Sequence, residues 1–166
     1  MKTLSWVYPG NNLRRNKLSE VEESKITAEH RAMIGIKSDP IEVTPKATDA
    51  SRMRDLLGDK DPRYSDDTGI APPYALAMLE PGLPPELSPR VLSSGILTQT
   101  EWKFMKPIQI NETLRATTQV ISIRDRLGGR YGYSVLVTFQ TDYLDGNGDA
   151  VAASLRTINQ FDRGDE

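Results

Sequence analysis

The residues whose types and spacing could do chemistry lie in one short polar stretch, LLGDKDPRY, at residues 56–64. It brings the carboxylates of Asp59 and Asp61 close in sequence to the hydroxyl of Tyr64. A carboxylate can accept a proton and a tyrosine hydroxyl can donate a hydrogen bond, so the stretch could serve acid–base chemistry on a bound substrate. The alternative interpretation is a polar turn that ends a helix, with its carboxylates capping backbone amides or pairing with a neighbouring base.

Length and composition limit the classes of function that such a stretch could serve. The chain has 166 residues, which suits one domain with its own core. Twenty-one basic and 23 acidic residues give a formal net charge of −2, which is not the charge balance of a nucleic-acid or membrane-surface binder. No apolar run approaches the roughly 18–20 residues that span a bilayer, and the first residues lack the apolar segment of a secretory signal.

The chain has no cysteine and one histidine, His30. The lack of cysteine excludes disulfides, thiolate zinc sites and cysteine nucleophiles, and it is compatible with a reducing cytoplasm, where we expect the protein to reside. A single histidine without cysteine argues against a transition-metal enzyme. We therefore expect neither a metal nor a cofactor.

The element before the polar stretch is predicted to be a helix. Thr48 has the residue type of an N-cap, and Asp49 would lie in the first turn, where a carboxylate suits the helix dipole. Three apolar residues recur at i, i+3 and i+4 and predict one apolar stripe: Met53, Leu56 and Leu57. Gly58 supplies the stop, because glycine adopts the left-handed C-terminal conformation without steric cost.

A second helix is predicted after the polar stretch. Pro72 and Pro73 suit a helix start, where a missing N–H costs nothing. The following YALAMLE is apolar on most sides, as expected for a buried helix, and a proline-rich segment at 81–85 ends it. Upstream, residues 18–36 could also form a helix, with sparse apolar positions at Val21, Ile26, Met33 and Ile34. We interpret residues 1–38 as an amino-terminal arm or lid.

Strands dominate the rest of the chain. IEVTP, at 41–45, alternates briefly as a short strand would. From Ile96 onward, four stretches alternate with period two between turn sequences: LTQTEWKFMKPI, ETLRATTQVISIRDR, YGYSVLVTFQTDYLD and DAVAASLRTINQF. They predict successive antiparallel strands, the last three as a meander, so the fold class is α+β within residues 39–162, followed by a polar tail at 163–166.

A sheet of about five strands has one face to bury, and only one short apolar helix is available to cover it. A sheet that curls around this helix would bury both surfaces. Its edge strands would still need pairing, which favours dimerisation across a sheet edge.

An ordered set of motifs gives the chain a family resemblance. G-D-x-D-P-x-Y-x-D at 58–66 is followed by A-P-P at 71–73, T-E-W-K-F-M-K-P-I at 100–108, N-E-T-L at 111–114 and D-G-x-G-D-A-V-A at 145–152. The set resembles the MaoC-like dehydratase family of hot-dog proteins, and more narrowly its amino-terminal, FAS1-type dehydratase half. The resemblance spans residues 34–161 and leaves the preceding arm uncovered.

The resemblance implies a fold, an assembly and a reaction. The fold is a hot-dog, an antiparallel sheet wrapped around a central helix and dimerised edge to edge. The reaction is hydration of trans-2-enoyl thioesters, or dehydration of (R)-3-hydroxyacyl thioesters, carried on CoA or acyl carrier protein. In active members an Asp and a His of a G-D-x-N-P-x-H motif share the acid–base work, and backbone N–H groups at the start of the central helix polarise the thioester carbonyl.

The resemblance assigns roles to five residues and marks where this chain departs from the pattern. Asp59 takes the position of the catalytic Asp, and Tyr64 stands where active members have His. At the helix start Pro73 has no N–H, so any carbonyl-polarising donors would be the amides of Tyr74 or Ala75. The resemblance thus implies Asp59 and Tyr64 as catalytic residues and Pro73, Tyr74 and Ala75 as substrate-binding residues.

Three functions remain open from the sequence. In the first, the chain is a hydratase/dehydratase subunit without the catalytic histidine, paired with an active hot-dog subunit. In the second, it is a self-sufficient homodimer that uses Asp59 with Tyr64, although a tyrosine hydroxyl is a poor general base at neutral pH. In the third, it is a non-catalytic dimer that binds acyl-CoA; a thioesterase is a further variant, because hot-dog folds host that chemistry too.

Overall fold

The structure is a computed structural model that describes residues 23–128 and 132–162. Most of the predicted arm (1–22), residues 129–131 of the predicted turn and the predicted polar tail (163–166) lie outside the described residues. The helices are α1 (Ala28–Ala32), α2 (Ala47–Leu57) and α3 (Pro73–Ala77), with 3-10 turns at Pro62–Tyr64 and Pro85–Leu87. The strands are β1 (Ile41–Val43), β2 (Ile70–Ala71), β3 (Ser94–Phe104), β4 (Ile108–Gln109), β5 (Leu114–Leu127), β6 (Tyr133–Leu144) and β7 (Ala150–Phe161).

The main sheet has five strands in the order β1-β5-β6-β7-β3, and each neighbouring pair is antiparallel. Strands β5, β6 and β7 form the predicted meander, because they follow one another along the chain and each pairs antiparallel with the next along its length. β3 lies at one end of the order. A separate two-stranded ladder joins β2 to β4 and brings Ala71 opposite Ile108.

The sheet curls around α3, as predicted. Leu76 of α3 is fully buried, with relative exposure of 0%, and Ala75 beside it is also buried. They belong to one core cluster with side chains that come from successive strands of the sheet: Val43, Leu114, Ala116, Tyr143, Val151 and Ala152. Just beyond α3, Glu80 accepts a hydrogen bond from Ser154 on β7 and so ties the end of the helix to the sheet. The α+β class and the hot-dog arrangement are therefore confirmed.

The other half of the curved face has a different cover. A second core cluster gathers around β5 and β6, and Leu92 and Ile26 pack on it from outside the sheet. The segment that carries Ile26 is fastened by the Tyr133 hydroxyl, which accepts a hydrogen bond from the Lys25 amide at 2.8 Å and donates one to Asp125 at 2.6 Å. The expectation that one short helix covers the sheet was therefore incomplete, because irregular segments cover this half.

Helix α2 differs from its prediction at its start and along its buried face. It begins after Lys46, which makes no side-chain cap, so the predicted N-cap at Thr48 was wrong; the Lys46 carbonyl already accepts the Asp49 amide at 3.1 Å. The predicted stripe lies within α2, but it is not the face that packs inward, because Leu56 and Leu57 are 71% and 59% exposed. The side that packs inward is the one that carries the buried Ala50.

The predicted helix at residues 18–36 is much shorter within the described part. α1 begins after Thr27, whose hydroxyl accepts the His30 amide at 3.3 Å, and its last residue is Ala32. Gly35 then adopts φ +84°, a left-handed conformation that glycine accepts readily. Over the described ranges, no helix combines the length and apolar character that crossing a bilayer requires.

Candidate functional site

The polar stretch 56–64 begins as a helix stop. Gly58 adopts φ +65°, the left-handed conformation predicted for it, and the following Asp59 amide donates to the Arg54 carbonyl at 2.9 Å. Asp61 then caps the 3-10 turn Pro62–Tyr64, because its side chain accepts the Arg63 amide at 3.0 Å. The loop therefore has a defined shape built from local bonds.

Both oxygens of the Asp59 carboxylate accept hydrogen bonds. Oδ2 accepts the Tyr74 hydroxyl at 2.6 Å, and Oδ1 accepts the Asp61 amide at 2.9 Å. These two donors, with a smaller contribution from Arg54, hold the pKa of Asp59 below its ordinary value. Burial, with the bond to Asp59, raises the pKa of Tyr74 to about 12. Tyr74 is thus a fixed donor to an ionised carboxylate at neutral pH.

Asp61 makes an ion pair within the loop. The Arg63 guanidinium donates to its carboxylate through Nε and Nη2, at 3.0 and 2.5 Å from Oδ2. These hydrogen bonds, together with the Arg63 amide, lower the pKa of Asp61 to about 2. The same guanidinium lies 5.3 Å from the centre of the Tyr64 ring. Asp61 therefore shapes the loop and orients Arg63 over Tyr64.

A cleft of about 550 Å³ opens beside this loop. Tyr64 forms part of its wall, and most of the remaining lining is apolar: Ile70, Pro73, Phe104, Met105, Pro107 and Ile108. The β2–β4 ladder, in which Ala71 lies opposite Ile108, contributes Ile70, Ala71 and Ile108 to this lining. The cleft thus joins the polar loop, the start of α3 and the end of β3.

The two cations of the cleft lining are both paired with carboxylates. Lys106 donates from Nζ to Asp145 at 2.9 Å and to Asp149 at 2.7 Å, across the turn between β6 and β7. Arg63 is held by Asp61, as above. Because their charges are already compensated, the cleft offers an apolar surface rather than a strongly cationic one.

Two prolines and one engaged amide form the start of α3. Pro72 is the N-cap and Pro73, the first helical residue, lines the cleft. The Ala75 amide donates to the Pro72 carbonyl at 2.9 Å, so it is engaged within the helix. Ala75 itself is buried, and Tyr74 directs its hydroxyl to Asp59.

The structure therefore divides the five predicted site residues into two groups. Tyr64 and Pro73 line the cleft. Asp59, Tyr74 and Ala75 are not among its lining residues: Asp59 and Tyr74 are bonded to each other, and Ala75 is buried. Sequence reasoning missed Phe104 and Met105 as cleft residues. The Phe104 ring stacks on that of Trp102, with centroids 5.6 Å apart. A signal was available in Pro107, because proline disfavours a continuing strand and here lies between β3 and β4.

The charge state of Asp59 makes a first testable prediction. Its folded-state pKa is lowered, so its ionisation favours the folded state above the ordinary carboxyl range, and this contribution is lost as pH falls through the lowered pKa. Arg54, Asp61 and Tyr74 are the groups that act on it. In a pH titration followed by carboxyl ¹³C NMR, we expect Asp59 to titrate below ordinary aspartates and to move upward in Tyr74→Phe. An unchanged titration in that variant would contradict the assigned bond.

No group of three or more His, Asp or Glu side chains in the described residues is arranged to hold a metal ion. His30, the one histidine of the chain, lies in α1, where its Nδ1 accepts the Thr27 amide at 3.2 Å. It is absent from the cleft lining. Of the described side chains, those that line the cleft thus offer hydroxyl, guanidinium, ammonium and apolar groups.

Comparison with known proteins finds likeness in structure. No protein-family model matches the chain, and no curated protein matches it in sequence. Among solved structures, the ChsH1–ChsH2 complex from Mycobacterium tuberculosis matches with a TM-score of 0.66 and 13% identity, over 78% of this chain and 86% of that chain. The HadBC (3R)-hydroxyacyl-ACP dehydratase complex from the same organism matches with a TM-score of 0.58 and 13% identity, over 76% and 96%.

A third similar structure carries the family name. A MaoC-like dehydratase from Rhodospirillum rubrum matches with a TM-score of 0.53 and 22% identity, over 79% of this chain and 94% of that chain. In all three the match spans most of both chains, so the likeness concerns the whole domain rather than a shared motif. The chain therefore has the hot-dog fold of the MaoC-like dehydratases.

Proposed function

We propose that this protein is a MaoC-like acyl-thioester hydratase/dehydratase subunit that lacks the catalytic histidine and pairs with an active hot-dog subunit. Its substrate class is the trans-2-enoyl or (R)-3-hydroxyacyl thioester of CoA or acyl carrier protein. One observation carries the proposal. Tyr64, at the position where the family motif has histidine, lines an apolar cleft at the start of the central helix.

The chemistry explains why a partner is needed. Adding water to an enoyl thioester requires a base for the water proton and an acid that delivers a proton to Cα. In this chain the tyrosine replaces the imidazole, and both oxygens of Asp59 already accept hydrogen bonds. The partner subunit supplies the Asp and His, and this chain supplies a wall for the acyl thioester.

The charges around the cleft limit which part of the substrate it holds. Lys106 and Arg63 are paired with carboxylates, so they are poorly placed to neutralise the phosphates of a carrier. The apolar lining suits an acyl chain or the neutral part of the carrier arm. We assign the acyl end of the thioester to this cleft.

The outer strand of the sheet supports assembly with a second subunit. β3 is the last strand in the sheet order, and it exposes Ile96 and Leu97 at 50% and 55%. Unpaired strand edges with apolar side chains are surfaces that proteins usually cover. Phe104 and Met105, which line the cleft, also lie at the end of this strand, so a partner on β3 would sit beside the cleft. Two of the similar structures are described as complexes.

The test is an assay of crotonyl-CoA hydration with the chain alone and after co-expression with a MaoC-like protein that retains G-D-x-N-P-x-H. We expect no turnover alone and turnover by the co-purified pair, lost when the partner's histidine is replaced. Hydration by the single chain that disappears in Asp59→Asn and falls strongly in Tyr64→Phe would contradict the need for a partner and would favour the self-sufficient homodimer.

A non-catalytic acyl-CoA-binding dimer is the second candidate. The engaged carboxylate of Asp59 favours it, because such a site binds without providing a free base. It predicts that acyl-CoA raises the unfolding temperature, since a ligand that binds the folded state stabilises it. A raised unfolding temperature with acyl-CoA, and no hydration activity with any partner subunit, would support this candidate.

A further inference from the structure

The hydrogen bond between Asp59 and Tyr74 joins the loop that follows α2 to helix α3. Asp59 follows the last turn of α2, whereas Tyr74 lies 15 residues later in α3, with its hydroxyl 2.6 Å from Oδ2 of Asp59. The second oxygen of Asp59 accepts the Asp61 amide inside the loop. One carboxylate therefore connects the loop to the central helix.

The other bonds of the loop give it shape without attaching it to α3. The Tyr64 amide donates to the Asp61 carbonyl at 3.1 Å, and the Arg63 side chain pairs with the Asp61 carboxylate. These contacts span two or three residues, and the Thr68 hydroxyl donates to the Arg63 carbonyl at 3.1 Å, five residues away. Attachment across a longer distance in sequence comes from Tyr74 and Asp59, just where the loop begins.

We infer that Asp59 and Tyr74 are positioning residues, whose hydrogen bond locks the 58–64 loop onto the start of α3 and so sets the Tyr64 ring in the cleft wall. The inference rests on the proposed function and deepens it. An acid that active relatives are expected to use for proton transfer serves here to build the binding wall. Pro73, beside Tyr74 in α3, lines the same cleft as Tyr64, so the two ends of the bond lie on segments that both contribute to it.

The surroundings of Asp59 suit a fixed acceptor better than a proton carrier. The Tyr74 hydroxyl, the Asp61 amide and Arg54 all stabilise its ionised form, and together they outweigh the opposing effects of burial and of repulsion from the Asp61 carboxylate. To take a proton from water, Asp59 would have to weaken bonds to two donors. Arg63 and Tyr64 complete the charged and titratable groups that act on this pair.

The chain contains a matched control for this bond. Tyr133 donates to Asp125 at the same 2.6 Å, at the far end of the sheet from the loop. Tyr133→Phe therefore removes a tyrosine–aspartate hydrogen bond of the same length away from the cleft. Comparison with Tyr74→Phe separates an effect on the cleft from a general loss of stability.

The test measures hydrogen exchange of residues 59–64 and the affinity for hexanoyl-CoA, a saturated thioester that cannot be hydrated. We expect Tyr74→Phe and Asp59→Ala to speed exchange in this loop and to weaken hexanoyl-CoA binding about tenfold, as loss of a hydrogen bond to a charged group allows. Asp59→Asn keeps one acceptor oxygen, so its loop exchange and its affinity for hexanoyl-CoA should lie between those of Asp59→Ala and the unchanged protein. Tyr133→Phe should change neither.

Unchanged exchange of residues 59–64 in Tyr74→Phe would overturn the inference without any ligand or partner. In the assembled enzyme, we expect Tyr74→Phe to raise KM with little change in kcat. If Asp59→Asn instead abolishes kcat at unchanged KM, Asp59 is a base and the positioning role is wrong, although the hydratase proposal stands. Faster exchange and weaker binding without turnover in any pairing would support the positioning role and overturn the hydratase proposal.

Discussion

Replacing Leu76 with alanine is expected to lower the free energy of unfolding by about 3–4 kcal/mol, the largest stability effect we predict. Leu76 is fully buried in the cluster where the sheet closes around α3. The helix has five residues and cannot be stable by itself, so its packing holds it in place. Truncating its one large buried side chain leaves a cavity where β1, β5, β6 and β7 converge.

Urea unfolding measures this change in free energy. The protein concentration is kept the same for all variants, because association would make the stability depend on it. Leu56→Ala is the matched control. It makes the same chemical change at a position that is 71% exposed, and it should alter stability by about 0.5 kcal/mol or less. Equal losses in the two variants would show that α3 is not the centre of the core.

Replacing Leu97 with glutamate is expected to abolish assembly with the partner subunit while the fold is retained. Leu97 is 55% exposed on β3, so a charge there costs little in the isolated chain. In the assembled protein the same charge would be buried at a strand–strand contact, where an unpaired ion costs several kcal/mol. We expect association to weaken at least about a hundredfold, since each 1.4 kcal/mol is a factor of ten.

Sedimentation analysis of the co-purified subunits, with the hydration assay beside it, measures this loss. Leu57→Glu is the control, because Leu57 is similarly exposed, at 59%, but lies on helix α2 rather than on β3. It should leave assembly and turnover unchanged. Assembly that survives Leu97→Glu would place the partner elsewhere and would remove the argument that β3 carries it.

Predictions from the sequence were most accurate for features that depend on the residue itself or its neighbours along the chain. Gly58 ends its helix because its conformation is set by the residue itself, and the prolines at 72 and 73 open α3 for the same reason. The long strands were identified because alternation with period two follows from one buried face. A five-stranded sheet and one short apolar helix together left few arrangements other than a curled sheet.

The boundaries of the helices, and the faces that helices and strands bury, were predicted less accurately from the sequence. The stripe of Met53, Leu56 and Leu57 fits an amphipathic helix, yet α2 packs through Ala50 and leaves both leucines exposed. Periodicity shows that a helix can have an apolar face but not whether another element covers it. The cover of β5 and β6 by Ile26 and Leu92 was missed because it comes from segments without regular structure.

The sequence by itself determined the order of the main helices and long strands, without the β2–β4 ladder, and the polar loop that carries Asp59 and Tyr64. Only the tertiary structure decided how these two residues are used. It brought Tyr74 to within 2.6 Å of Asp59 and set Tyr64 opposite the end of β3, across a cleft that no single segment encodes. The physical reason is that a side chain's partners depend on how distant segments pack, whereas helix stops and strand alternation depend on neighbours along the chain.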